Sequence, residues 1–498
     1  MTTPKIKALD IRPTRPRHAP SKSFAPSPQP GARQYAAAQY TSMTGAWSPG
    51  SATVNEELLS SAVLVRDRVR QLVRDNPHFQ RATRRTADFL VGSGIRYQSK
   101  IVDEDGNLLK KLNQYIEDRY DWWLEKKRFD IAGHLHGYDF QTLDSYQNSE
   151  CGEFLLIRRI DTKAEMPLKY QTIEPDQLIG YEATGSNETS MGIEYNPNTW
   201  QRVRFHFLDD AGRAFSVPAE QIVHGFHTLR SNQLRGISPF TAGVLIADAF
   251  GQYVGSELSR KAMAARYLGI VQSPDPLRFQ RGLSTNTAGT KLEEVENASF
   301  QYLQPTETIT FPTPPNDAGI ADFTKIMLEM YSVATGIPYE VLTQDYGNMS
   351  FSTAKIKRTD FRNELKPAFA RYVRTQCEPI KQDFFRFGTL SGYLDLPGYE
   401  KNPMFYQRGV WQSPGMEPVD LLREVKATIE EIKAGLRAPQ DYIRAYGGDP
   451  EDVLQQISNF KKIAMDIYGI DLDAGMGNAS TMMQQNPAKI TGDQGDEG

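Results

Sequence analysis

The clearest signal along the chain is a change in the period of its apolar positions. From Glu56 to Leu90 the run EELLSSAVLVRDRVRQLVRDNPHFQRATRRTADFL reads as two helical pieces. They break near DNP, because Pro77 pushes Asn76 out of helical geometry, and VGSG stops the second piece. Between Ile101 and His227 the pattern is mixed: LLKKLNQYIEDRYDWWLEK has helical spacing, whereas EFLLIRRI, LKYQTI, RVRFHFL and QIVHGFH are short strands bounded by turns. That combination predicts an α+β body.

Helical signals then take over. SPFTAGVLIADAFGQYVGSELSRKAMAARYLG predicts a helix with Ser238 as N-cap and Pro239 at its first position, running to about Leu268. Its many small residues, among them Gly251, Gly255 and Ala262, cost helix propensity but let another helix approach closely. A Gly/Thr/Asn-rich segment from Gln272 to Pro315 follows. A second helix, about Ala321 to Thr335, is closed by Gly336 at C′ with Pro338 beyond it. Phe361, Leu365, Phe369, Val373, Cys377, Ile380, Phe384 and Phe387 then keep helical steps, and Pro367 and Pro379 predict a bend in that stripe. Three further helices are expected: one between Pro418 and Gly435, one ending at Gly447 and Gly448, and one with Asp449 as cap and Pro450 at its first position. Between the second helix and the bent one, Thr343 to Ser352 is polar and aromatic with a glycine, the composition of an exposed loop.

Composition narrows the function classes. The chain of 498 residues has 57 Lys+Arg against 61 Asp+Glu, so it is not a basic nucleic-acid binder of the usual kind, and any DNA contact should be local or transient. Basic character concentrates in residues 1–33, which carry seven Lys/Arg and the single acid Asp10, in a stretch rich in proline. That predicts a mobile tail. With only Cys151 and Cys377 there is neither a disulfide framework nor a CxxC motif, and a reducing cytoplasm is the expected setting. The N-terminus has no apolar run of a secretory signal, and the most apolar segment, GISPFTAGVLIADAF, meets Asp248 well short of the roughly 18 to 20 residues of a membrane helix.

Catalytic signatures are scarce. No GxxxxGK[ST], HExxH, GxSxG or zinc-finger spacing occurs, and VGSGIRY lacks the third glycine and the βαβ context of a dinucleotide site. Metal candidates reduce to His134 with His136 and His224 with His227, pairs without a clear third ligand. Asp209 and Asp210 fall in a hairpin turn, and Tyr346, Asn348 and Ser350 have only Asp345 and Glu340 as nearby acids. No cofactor, metal or enzymatic activity is expected. Two rivals stand beside a structural role: a metal-dependent nucleic-acid-processing hydrolase built on the histidines with Asp209 or Asp210, and an adaptor or scaffold protein.

The succession of motifs resembles the portal proteins of tailed bacteriophages, lambda family. It begins at YAAAQYTSMTGAW and LVRDRVRQLVRDNPHFQRATRRTADFLVGSGIRYQ, and continues through WWLEKKRFDIAG, CGEF and PAEQIVHGFHTLRSNQLRGISPF. It resumes at ATGIPYEVLTQDYGNMSFSTAKIKRTDF and WQSPGMEPVDLLREVKATIEEIKAGLRAPQDYIRAYGGDPEDV. The resemblance covers about residues 35 to 465 and is weak over 270–318. It implies an elongated portal-type subunit with a mixed α/β wing, a two-helix stem, a small clip, a long bent helix and a helical crown. The implied segments are a basic tail 1–50, wing 51–237, stem helix 238–268, clip 269–318 and second stem helix 319–336. A tunnel loop 337–352, long helix and wing return 353–415, crown 416–470 and tail 471–498 complete the order.

By the same resemblance, the protein forms a ring, usually of twelve subunits, at one capsid vertex of the virion after assembly in the host cytoplasm, and double-stranded DNA enters and leaves through it. Expected partners are the terminase packaging motor, a head-completion or tail-connector protein, a major capsid or scaffold protein, and DNA without sequence specificity. No membrane partner is expected, and the adaptor or scaffold rival would in this light be a capsid adaptor or scaffold protein. The candidate channel residues are Gln344, Asp345, Tyr346, Asn348, Met349 and Phe351; Gly251, Gly255 and Ala262 would pack stem helices between subunits. An acidic balance suits a conduit, because DNA presents a negative charge about every 1.7 Å of axis and a strongly basic wall would hold it.

Overall fold

The structure is a computed structural model that describes residues 50–180, 185–266, 270–272, 284–285, 291–292, 308–310, 320–347, 349–414, 421–446, 448 and 450–468. The expected basic tail, almost all of the expected clip, and the tail 471–498 therefore lie outside the described residues. The helices are α1 (Val54–Asp75), α2 (Pro77–Leu90), α3 (Lys110–Leu124), α4 (Lys126–Phe129), α5 (Gly137–Cys151), α6 (Val244–Arg266), α7 (Ile320–Thr335), α8 (Tyr339–Thr343), α9 (Phe351–Tyr372), α10 (Glu378–Ser391), α11 (Pro403–Tyr406), α12 (Leu421–Lys433), α13 (Pro439–Ala445) and α14 (Pro450–Tyr468). The strands that shape the body are β1 (Arg96–Ser99), β2 (Glu153–Ile160), β3 (Leu168–Ile173), β4 (Glu188–Ser190), β5 (Ile193–Tyr195), β6 (Arg202–Leu208), β7 (Ala214–Pro218) and β8 (Ile222–Phe226). Four short strands follow within 270–310, and the last strand is Gly409–Gln412. The fold is α+β.

The chain divides into two compact units, one of residues 1–67, 86–238 and 358–498, the other of 68–85 and 239–357. In the first unit β2 lies between β3 and β8, both antiparallel to it, and β4 to β7 form an antiparallel meander. Strand β1 pairs with Gly409–Gln412 from the far end of the chain. The main core is aromatic: Trp123 is fully buried, Tyr120 meets Phe384 edge-on at 5.0 Å and Phe129 meets Phe140 at 5.1 Å. The indole of Trp123 donates to the Leu168 carbonyl (3.0 Å), so the one polar atom of that ring is satisfied. A second cluster, Leu155, Ile157, Ile193, Phe205, Phe207 and Val217, joins the two sheets.

Helix α5 follows from its ends rather than from a stripe. The Nδ1 of His136 accepts from the Tyr138 amide (3.1 Å) and Asp139 accepts from the His136 amide (2.9 Å), a reciprocal cap. Gly152 closes the helix at φ +83°. No side chain fits there, since a Cβ would stand 2.0 Å from the Ile237 carbonyl carbon. The long helical stretch 351–391 is interrupted by a π-helical turn, Val373–Cys377, between Pro367 and Pro379. Pro379 has no N–H to return to the Thr375 carbonyl, and a wider turn absorbs the mismatch.

The second unit packs α2's first turns against α6 and α7. Asn76 caps α2 by accepting from the amides of His78 (3.0 Å) and Phe79 (3.2 Å). The buried Phe79 ring then meets Phe240 (5.7 Å) and Tyr331 (5.2 Å), both edge-on. One expectation is corrected here. The helix predicted from Pro239 with Ser238 as cap begins only at Val244, after a tight turn Thr241–Gly243. The reason lies in the first unit, where the Ser238 hydroxyl donates to the Ser149 carbonyl (2.6 Å) instead of capping.

Candidate functional site

Helices α6 and α7 carry the candidate packing residues. Gly251, Gly255 and Ala262 are exposed, and a Cβ on either glycine would meet nothing within 4 Å. They share a face of α6 with Leu258, which is 70% exposed. Sequence reasoning missed the counterpart on α7. Phe323, Ile326, Met330 and Val333 are all exposed, Val333 to 85%, and their steps of three, four and three put them on one helical face. That spacing is readable in the sequence, but spacing alone does not say whether a stripe faces a core or solvent.

The candidate loop is short and self-braced. Helix α8 occupies 339–343 inside the segment read as loop, and Gln344 ends it in the left-handed region at φ +62°, its amide donating to the Glu340 carbonyl (2.8 Å). Asp345 accepts from the Tyr339 hydroxyl (3.3 Å) and the Gly347 amide (3.2 Å). Tyr346 is 55% exposed, and Met349, half-buried, returns its amide to the Tyr346 carbonyl (3.2 Å). Ser350 then caps α9 by accepting from the Thr353 amide (3.2 Å). At the loop's base, buried Glu340 pairs with Lys357, and the Arg81 guanidinium donates to the Val341 carbonyl (3.1 Å). Gln344, Asp345 and Tyr346 are thus brought together on an exposed turn; Asn348 and the Phe351 side chain lie outside the described residues.

The metal candidates have other occupations. His136 caps α5 through its ring, and at His134 it is the backbone amide, not the imidazole, that donates to Asp130 (2.9 Å). His227 faces Arg371 (Nη1 to Nε2 3.3 Å). Asp209 closes its turn on the Ala211 and Arg213 amides (3.0 and 2.7 Å) and on the Arg213 guanidinium (2.8 Å). Among the described residues no group of three or more His, Cys, Asp or Glu is placed to hold a metal ion.

His224 belongs instead to a buried charge network centred on Glu153, which sequence reasoning did not single out. One Glu153 oxygen pairs with the Arg235 guanidinium (2.5 Å), and the other accepts from the Gly236 amide (3.0 Å) and meets His224 Nε2 (2.9 Å). Arg235 also donates to the carbonyls of Met191 (2.7 Å) and Pro175 (2.9 Å). Burial alone would raise the Glu153 pKa, but Arg235 and His224 outweigh it and hold the carboxyl well below its usual range. Burial chiefly, with Arg202 beside it, pushes His224 down to about 4, so the imidazole is neutral at physiological pH. The arrangement fixes residues 234–238, immediately before Pro239, to the start of β2. Its members sit in CGEF and in PAEQIVHGFHTLRSNQLRGISPF, two of the stretches that carry the family resemblance.

Residues 40–367 match the family of phage portal proteins, lambda family. The chain is 23% identical over 472 residues to the "Probable portal protein" of Halomonas phage phiHAP-1, covering 89% of this chain and 90% of that one. It is 19% identical over 469 residues to "Portal protein B" of Escherichia phage lambda, covering 82% and 85%. Among solved structures it is similar to a chain of the "Neck of empty GTA particle computed with C6 symmetry", with a TM-score of 0.48, 13% identity, and 82% of this chain and 97% of that one covered.

Proposed function

The chain belongs to the lambda family of phage portal proteins and acts as a portal at the capsid vertex, and from that premise we propose that its copies close head to tail into a ring of twelve around a channel for double-stranded DNA. The observation that carries the ring is the pair of uncovered faces in the second unit. Small residues line one face of α6, and Phe323, Ile326, Met330 and Val333 line one face of α7. Apart from Phe323, whose ring meets Tyr253 of the same chain edge-on (4.6 Å), an isolated chain leaves both exposed, whereas a neighbour packed on them removes apolar surface at about 25 cal/mol per Å².

In this reading α6 and α7 are the stem, and the turn at Gln344–Met349 projects toward DNA. Tyr346 and Met349 touch sugar and phosphate by van der Waals contact, independent of sequence. The protein works as a conduit and platform without turnover. It docks the terminase motor and a head-completion or tail-connector protein, and seats in the shell against major capsid or scaffold protein.

Electron microscopy of the purified protein tests the assembly. Rings with a central hole are expected, at a mass of twelve times 56.2 kDa, or about 670 kDa. A protein that stays monomeric or dimeric at high concentration in several salts refutes it. For the loop, deletion of Asp345 to Met349 should leave rings intact and reduce DNA packaged or retained in procapsids; normal packaging and retention would remove the loop from the channel while leaving the ring.

A further inference from the structure

Helix α9 separates its charges around its circumference. The side chain of Phe361 is buried, its ring edge-on to Phe89 at 5.0 Å, and it marks the face that packs on its own chain. With successive residues turning by about 100°, Arg358, Arg362 and Lys366 fall within about 80° of arc, and Asp360 and Glu364 fall within about 40° on the opposite side. Each row lies roughly a quarter turn from Phe361. The buried face therefore has a cationic flank on one side and an anionic flank on the other. Arg358, Asp360, Glu364 and Lys366 are exposed, and Arg362 is half-buried with a contact inside its own chain. Lys366 donates to Asn363 (3.1 Å). The other cations on the anionic side are engaged, Lys357 with Glu340 and Arg371 with His227.

We infer that α9 is a charged contact strip between neighbouring copies, with the Arg358–Arg362–Lys366 flank of one copy seated on the Asp360–Glu364 flank of the next. A head-to-tail contact needs two different patches on each copy, one for its left neighbour and one for its right, and two unlike flanks on one element can supply both. A polyanion such as DNA would use only the cationic flank and would be repelled by the other. A second copy of this chain uses both. The rows share a centre: Arg358 to Lys366 spans about 12 Å along the axis, and Asp360 to Glu364 about 6 Å centred on the same turn. Such pairing sets register and rejects misaligned neighbours more than it adds affinity. The inference rests on the ring reading and assigns one surface to it.

The test is reciprocal charge reversal in the full chain. Arg358→Glu with Lys366→Glu brings acid against acid, and Asp360→Lys with Glu364→Lys brings base against base. Each double variant should melt like the wild type as a single chain, yet show a ring population lowered about tenfold or more at low salt. Combining all four substitutions exchanges the flanks and should restore rings. Wild-type rings should also loosen as salt rises, because the Debye length falls to about 3 Å at 1 M. Rings at wild-type level in both double variants would overturn the inference and leave the ring reading standing. So would failure of the folded quadruple variant to recover, or normal rings in Arg358→Glu, Lys366→Glu with a defect confined to DNA retention, which would give the cationic flank to DNA. Absence of rings in the wild type would remove the ring reading itself.

Discussion

Replacing Arg235 by Met should be among the most damaging single changes in the first unit. The guanidinium is buried and donates to Glu153 and to the Met191 and Pro175 carbonyls. Methionine fills much of the same volume but supplies no charge and no donors. Glu153, 1% exposed, would keep only the Gly236 amide and His224 as partners. Removing one member of a buried pair costs about 3–5 kcal/mol, a large share of a domain's total stability. Glu153→Gln should cost a similar amount from the other side, by stranding the guanidinium. Because each single change already forfeits the pair, the double variant should fall short of additivity by about 2 kcal/mol or more.

Hydrogen exchange gives the readout, since β2, β8 and residues 234–238 should lose protection ahead of α12 to α14. Acid should act in the same direction. His224 is neutral in the folded chain and pushed down to about 4, against about 6.5 when unfolded, so the unfolded chain binds the extra proton between those values. The His224 contribution is therefore full above about pH 6.5 and falls toward pH 4 by up to about 3 kcal/mol. Glu153, held low in the folded chain, loses its contribution further down the same slope. Protection of β2 and β8 unchanged in Arg235→Met, or additive single variants, would refute the account of this network as a coupled clamp.

Three further outcomes are expected. Asp144 is fully buried, its Oδ2 accepting from Gln376 (3.3 Å) and its Oδ1 without a partner, and burial holds its carboxyl well above the usual range. Its contribution is present below about pH 3.9 and lost as pH rises, so Asp144→Asn should melt higher than wild type, by about 1.4 kcal/mol more for each pH unit above that value until the folded carboxyl ionises; parallel melting curves between pH 4.5 and 6.5 would contradict this. Gly152→Ala should destabilise by at least about 2 kcal/mol in thermal melts, because it combines a left-handed backbone with a Cβ driven into Ile237. Gly251→Leu and Gly255→Leu should leave the single chain's melting unchanged or slightly raised, given open space and better helix propensity, while impairing ring closure in micrographs.

Legibility in the sequence tracked how local each determinant is. The break at Asn76–Pro77, the stop at Gly336 and the strands β2, β3, β6 and β8 depend on neighbours in the chain, and each lies where the pattern put it. Helix α5 did not show, because GYDFQTLDSYQNSEC buries polar Gln141, Asp144, Ser145 and Ser149 among its apolar residues and so has no two-faced stripe. Strand β1 could not be paired from the sequence, since its partner is Gly409–Gln412. Ser238 obeyed the capping rule by type and broke it by contact with Ser149, and His224 read as half of a ligand pair until Glu153, 71 positions away, claimed it.

The exposed helix faces are a different case. An apolar stripe at 323, 326, 330 and 333 has the same spacing whether it faces a core or a neighbour, and only its exposure separates the two. Sequence pattern reports that a face wants covering, and the folded chain reports which faces its own residues leave bare. A stripe that is periodic and still exposed, as on α7, is the kind of face the proposed ring would cover, whereas the segregated charges on α9 are stable in water and would bear on the register of a neighbour rather than on its attachment.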